Sequence, residues 1–177
     1  MNIHVARTGA LLAMLSLAAG VYATENDSKQ GLDLGLRITE EASAADAGLP
    51  AYPGSKPYKD PDQSNSAANV GISTPLFGLK VVAMNLQTSD QPEKVATFYR
   101  RALSKYGTVL DCSKGAGQKK SSNEDDEELE CDADDPGEHR FVYKVGTESN
   151  QRLVAIKPHD GGTRFSLVHV NKRGKSK

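Results

Sequence analysis

No tryptophan occurs among the 177 residues, phenylalanine and tyrosine supply only four and six rings, and just two cysteines are present. So small a store of large rings suits one modest core with polar margins rather than two cores. Neither cysteine has a second Cys at C-x-x-C spacing, and no His pair stands at H-x-x-H spacing, which disfavours a zinc site. A net charge of −1 provides no overall drive toward nucleic acid. Also missing are a G-x-S-x-G elbow, a phosphate-cradling glycine loop, an H-E-x-x-H pair and any internal repeat. The sequence therefore assigns no catalytic residue, no cofactor and no metal ligand.

What is present begins with an export signal. Met1–Gly9 carries His4 and Arg7, an apolar run follows from Ala10 to Val21, and Val21-Tyr22-Ala23 has the small-x-small form of a cleavage site. The apolar run is too short to span a bilayer comfortably. Cleavage is expected after Ala23, giving a periplasmic or secreted product with no stable membrane insertion. No cysteine follows the run, so a lipid-modified N-terminal cysteine is not expected. Outside the reducing cytoplasm, Cys112 and Cys131 are expected to form a disulfide. Closing that loop stabilises a fold by about 3 kcal/mol in the chain-entropy model.

The rest of the chain is organised around Ser89–Gly107. Val95, Phe98, Tyr99, Ala102, Leu103 and Tyr106 recur at the spacing of one helical stripe, while Lys94, Arg100, Arg101 and Lys105 take the other face. Asp90 and Glu93 read as an acidic capping box, Pro92 fits the first turn, and Gly107 supplies the stop. Such a rod is laid on something apolar, most simply one side of a sheet.

Residues 24–48 read as a loose start, a strand in which Leu32, Leu34, Leu36 and Ile38 alternate with polar residues, and a short helix over Thr39–Gly48. Leu49–Asp62 contains four prolines and two tyrosines and reads as an ordered extended segment crossing the surface. The core domain spans 49–170, with strands at Asn69–Thr74, Leu79–Leu86, Thr108–Cys112, Phe141–Val145, Leu153–Lys157 and Phe165–Val170, and Leu129–Cys131 as a return partner. Short turn-rich links predict antiparallel hairpins. Residues 171–177 read as a basic disordered tail. The expected class is α+β, an antiparallel, meander-like sheet with one long amphipathic helix packed on one face. The other face is left open or half-covered by the Pro/Tyr segment.

Four groups are candidates for a site. The acidic loop at 120–138 holds ten acids between Glu124 and Glu138, and Asp132–Gly137 begins like a calcium loop. Pro136 and Tyr143 then fall where an EF-hand needs ligands, so at most weak cation binding follows, and a solvated loop is the simpler role. His169 shares parity with Phe165 and Leu167 and so turns toward the helix, while His159 stands beside Asp160 in a hairpin turn. Either is the base of a hydrolase-like alternative, against an ordinary structural histidine. Tyr52 and Tyr58, interleaved with Lys56 and Lys59, suit stacking on a planar or sugar ligand; the simpler account is that the rings cover the sheet edge while the lysines stay in water.

LPAYPGSKPY, the apolar strand after it and TSDQPEKVATFYRRALSKYG together resemble a group of exported bacterial proteins of unknown function that share a "YPGA"-type segment and an "S-D-x-P-E-K-V-x-x-F-Y" helix. The similarity covers about Leu49–Val170, with Ser55 where that group tends to have Ala. It implies the fold and export, with no catalytic residue to carry over. The expected function is thus an exported, non-enzymatic binding or accessory module of the bacterial envelope, whose partner is an unknown envelope protein or small ligand and not a nucleic acid.

Overall fold

The computed structural model describes residues 35–61, 65–115, 129–132 and 137–174. The expected leader, the loose start after it and most of the acidic run lie outside them.

Alternating apolar residues build the sheet. In chain order its strands are β1 (Gly35–Thr39), β2 (Lys56–Pro57), β3 (Ala67–Ser73), β4 (Gly78–Thr88), β5 (Leu110–Asp111), β6 (Phe141–Thr147), β7 (Asn150–His159) and β8 (Gly162–Arg173). Every pairing is antiparallel, in the order β1-β3-β4-β8-β7-β6-β5, with β2 attached to the end of β4. The sheet is not one meander. β5 to β8 form a meander, β3 and β4 form a hairpin, and the two meet at the long β4–β8 ladder, from Gly78↔Arg173 to Thr88↔Thr163.

The helix α1 covers Pro92–Leu103, followed by a 3-10 turn at Ser104–Tyr106. It is shorter than the rod expected over Ser89–Gly107, because its start is fixed further along. Gln91 is the N-cap and makes no side-chain cap bond, while Asp90 gives its carboxylate to the Tyr52 hydroxyl and to Lys94. The stripe itself is as read. Val95, Tyr99 and Leu103 are fully buried, and Lys94, Arg100, Arg101 and Lys105 are exposed. Tyr106, at the end of the stripe, is partly exposed, with the Arg152 guanidinium 3.8 Å above its ring and its hydroxyl donating to the Gly48 carbonyl.

We call the side of the sheet under α1 the front. Val82, Met84 and Leu86 of β4, Phe165 and Leu167 of β8, and Val154 and Ile156 of β7 share one buried cluster with the helix stripe there. The Pro/Tyr segment completes this layer, since Leu49 and Tyr52 are core residues and the Tyr52 ring meets Phe98 edge-on at 5.1 Å between centroids. The short helix expected over Thr39–Gly48 is a turn instead. Ser43 and Asp46 close it locally through Asp46 Oδ2, which accepts from the Ser43 N–H at 2.8 Å and its hydroxyl at 2.6 Å, and Ala44 and Ala47 are buried without a helix.

On the back a second cluster forms around the Cys112–Cys131 disulfide, whose Cα atoms are 5.3 Å apart, with Leu110, Leu129, Val142 and Ala155. Nor does the chain loosen at Asn171 as expected, because β8 runs on to Arg173 and pairs with β4 to its last residue.

Candidate functional site

The sequence candidates do not come together. Tyr52 is buried in the front core and Tyr58 is half-buried. The Tyr58 ring lies under the Arg164 guanidinium at 4.2 Å and meets His159 edge-on at 5.0 Å. Lys56 and Lys59 are exposed. These four residues thus form no shared aromatic face: one ring is spent on the core, the other on an arginine whose guanidinium also binds Asp60. Burial, then the Asp90 carboxylate, push the Tyr52 phenol up to about 12.

His159 Nε2 is 3.2 Å from Asp160 Oδ2 in the β7–β8 turn. Asp160 itself holds a φ of 45°, the left-handed conformation that a two-residue hairpin turn requires. His169 does face the front, opposite Val82 and Arg152, but beyond the end of α1, and its Nε2 lies 2.9 Å from Asn150 Oδ1. Burial, then Arg152, hold this imidazole below the usual histidine range. The partners of both rings are an amide and a carboxylate, and neither contact supplies a nucleophile. Within the acidic run, Asp132 bonds Lys144 at 2.8 Å and Glu138 bonds Lys157, so these two carboxylates serve the sheet. Among the described residues no group of three or more His, Cys, Asp and Glu side chains could hold a metal ion.

The open features lie at the other end of the sheet. The helix contacts β6, β7 and β8, and the disulfide arm covers the back of β5 to β7, so the end of the sheet built by β1, Asn69–Ser73 of β3 and Gly78–Val81 of β4 lies outside both core clusters. Directly paired residues of an antiparallel sheet share a face. One back-face row therefore runs Ile38–Val70–Val81–Val170, a second Leu36–Ile72–Leu79, and a third Ala68–Ala83–Val168–Leu153. Leu36 is 62% exposed and Ile38 63%. Leu76 and Phe77, in the turn joining β3 to β4, are exposed as well.

At this end of the sheet the front side chains, such as Arg37, Asn69, Ser73 and Lys80, are polar. A groove of ≈ 520 Å³ is lined there by Arg37, Asn69, Gly71, Ser73, Lys80 and Arg173, among others. A second groove of ≈ 560 Å³ lies beside the start of α1, between Tyr52, Asp90, Lys94, Phe98 and Arg101.

Sequence reasoning left the back face open or half-covered by the Pro/Tyr segment without naming its apolar residues; Leu49 and Tyr52 of that segment lie in the front core instead. The signal was available in β4 and β8: Val81 stands beside Val82, and Val168 and Val170 alternate with Leu167 and His169. Strands with apolar residues at both parities present two apolar faces, whereas a half-buried strand presents one.

No helix among the described residues is long and apolar enough to cross a membrane. No protein-family model matches the chain, and no curated protein matches it. Among solved structures it is similar to LpqN, described as involved in cell envelope biogenesis of Mycobacterium tuberculosis, at 10% identity over 82% of this chain and 76% of that one. The TM-score is 0.25, and at that level the likeness carries no argument.

Proposed function

We propose that the protein is an exported, non-enzymatic accessory module of the bacterial envelope that binds an envelope partner protein through the open back face of β1, β3, β4 and β8. The observation that carries this reading is the set of apolar rows ending in Leu36 and Ile38, whose side chains remain 62% and 63% exposed. Exposed apolar surface is costly in water, and where it is contiguous it marks a contact surface. The rows lie on a sheet face rather than in a deep cleft, which suits a protein surface better than a small molecule. The Cys112–Cys131 bond supports an oxidising compartment. The expected leader and the resemblance to exported proteins with the same helix pattern agree with it. Nucleic acid has no part in this reading, and neither does membrane insertion once the leader is removed.

The test is site-specific photo-crosslinking in the native envelope. A crosslinker at Ile38 or Val168 should capture a discrete protein, one at Thr97 on the outer side of α1 should not, and Val81→Asp should abolish the capture. Equal capture from Thr97, or capture unchanged by Val81→Asp, would count against the surface. Recovery of the uncleaved chain from the cytoplasm would remove the export half of the reading.

A further inference from the structure

The front groove is built by glycines. Across the sheet one row reads Arg37–Gly71–Lys80–Asn171, and the next reads Gly35–Ser73–Gly78–Arg173. Gly71 therefore lies between two cations on one face, with Arg37 and Lys80 about 10 Å apart at the backbone, two strand spacings. The gap over Gly71 is real: a Cβ there would meet nothing nearer than the Arg37 Cβ and carbonyl oxygen, at 3.9 Å. In the next row Gly78 lets the third cation lie flat. A Cβ at Gly78 would stand 3.4 Å from Arg173 Nε and Nη2, so the guanidinium passes over the bare strand and donates to Ser73 Oγ at 3.3 Å. Arg37, Lys80 and Arg173 thus surround one open seat, with Asn69, Asn171 and Ser73 as neutral hydrogen-bonding groups.

No acidic side chain lines the groove, and none of the three cations has an ion pair among the described residues. The carboxylate that feels Lys80 is Asp46, and its Oδ2 is already taken by the Ser43 N–H and hydroxyl. Asp46 still carries its charge and offsets part of that of Lys80, but it does not line the groove, so an anion seated among the three cations relieves the repulsion that remains.

We propose that this groove is a phosphate-binding site, taking the phosphate group of a soluble phosphoester or of an anionic lipid headgroup. A phosphate presents oxygens in several directions and can meet cations from three strands, whereas a carboxylate's two oxygens lie in one plane. Leu36, Ile72 and Leu79 also line the groove, but the cations and glycines that form the seat share the front face, and the site goes beyond the partner-binding reading, on which it does not depend.

The experiment titrates the purified, oxidised chain with inorganic phosphate and with glycerol phosphate at constant ionic strength, following backbone amide signals of Asn69, Gly71 and Gly78. In parallel, the chain is floated with vesicles of phosphatidylglycerol in phosphatidylcholine and with phosphatidylcholine alone. The expected result is saturable binding that weakens about tenfold in Lys80→Gln and in Arg37→Gln, as loss of one charge-assisted contact requires. It should also be lost in Gly71→Val, which keeps every charge and fills the seat, and be unchanged in Lys94→Gln on the helix. Saturation by the soluble ligands alone identifies a phosphoester, and added retention on phosphatidylglycerol vesicles identifies a headgroup. Either supports the site. No saturable binding to any probe, or binding reduced as much by Lys94→Gln as by Lys80→Gln, overturns it. Should Gly71→Val fail to fold, the two charge variants and the helix control still decide the question.

Discussion

The Tyr52 hydroxyl donates to Asp90 Oδ2 at 2.7 Å, tying the proline-rich segment to the residue before the N-cap of α1 across 38 positions of sequence. This contact explains why Asp90 caps nothing: its carboxylate is bound from the other side, with Lys94 at 3.3 Å as its second partner. Tyr52→Phe keeps the ring packing against Phe98 and Phe165 and removes only the hydroxyl. It should lower stability by about 1 kcal/mol at neutral pH, the net worth of one such bond, measured by urea denaturation. The same bond, then Lys94, hold the Asp90 carboxyl below its usual value. The contribution is therefore complete above the ordinary carboxylate range and fades as pH falls through the depressed value, so the gap between wild type and Tyr52→Phe should narrow in acid.

Leu103 is the test of the helix stripe. It is fully buried, in one cluster with Tyr99, Val145 and Val154. Leu103→Ala should cost about 2–5 kcal/mol, the range for deleting buried methyl groups and leaving a cavity. Thr97→Ala, on the exposed side, should stay within about 0.5 kcal/mol. Chemical denaturation of both variants checks the contrast; similar losses would mean that α1 is not seated as described.

The disulfide joins cysteines 19 residues apart and centres the back cluster. Replacing both cysteines by serine should cost about 3 kcal/mol, and wild type under reducing conditions should melt near the double variant. An unchanged melt on reduction would show that the bridge does not constrain the chain.

His169 gives a pH signature. Burial is the chief cause holding its imidazole below the ordinary value of 6.5, with Arg152 next and Lys80 adding to it, against the opposing effect of the Asp46 backbone. The unfolded chain then takes up the proton first as pH falls. Stability due to this group is complete above about pH 6.5 and declines below it, through the window down to the depressed value. His169→Gln should remove that part of the decline while leaving the alkaline side unchanged, as read from denaturation midpoints across the window. Identical profiles for the two proteins would contradict the assignment.

Much of the secondary structure was legible because periodicity is a local signal. The stripe from Val95 to Leu103 announced a helix, and the alternation in Leu79–Leu86 and Phe165–Val170 announced strands. Strand ends were not legible. Polar residues such as Asn150, Lys172 and Arg173 continue the ladders, since backbone hydrogen bonds need no apolar side chain. The Thr39–Gly48 helix failed for a related reason: acids after a cap residue suit a first turn, but Ser43 and Asp46 satisfied each other and closed a tight turn. Of the candidate ligand surface, the exposed lysines and a covering role for the rings were legible, but the partners of Tyr52 were not, because Phe98, Tyr99 and Phe165 are all distant in sequence.

The amino-acid order settled which segments seek apolar contact and which cysteines pair, because spacing and a lone pair of thiols are properties of the chain alone. Which faces find a cover was settled in three dimensions. Leu36 and Ile38 alternate as a half-buried strand should, yet β1 sits at the sheet edge where neither α1 nor the disulfide arm reaches. Gly71 likewise becomes a seat between Arg37 and Lys80 only through strand pairing. Hydrophobic period reports a demand for burial; whether a neighbouring layer meets it depends on contacts between residues far apart in the chain.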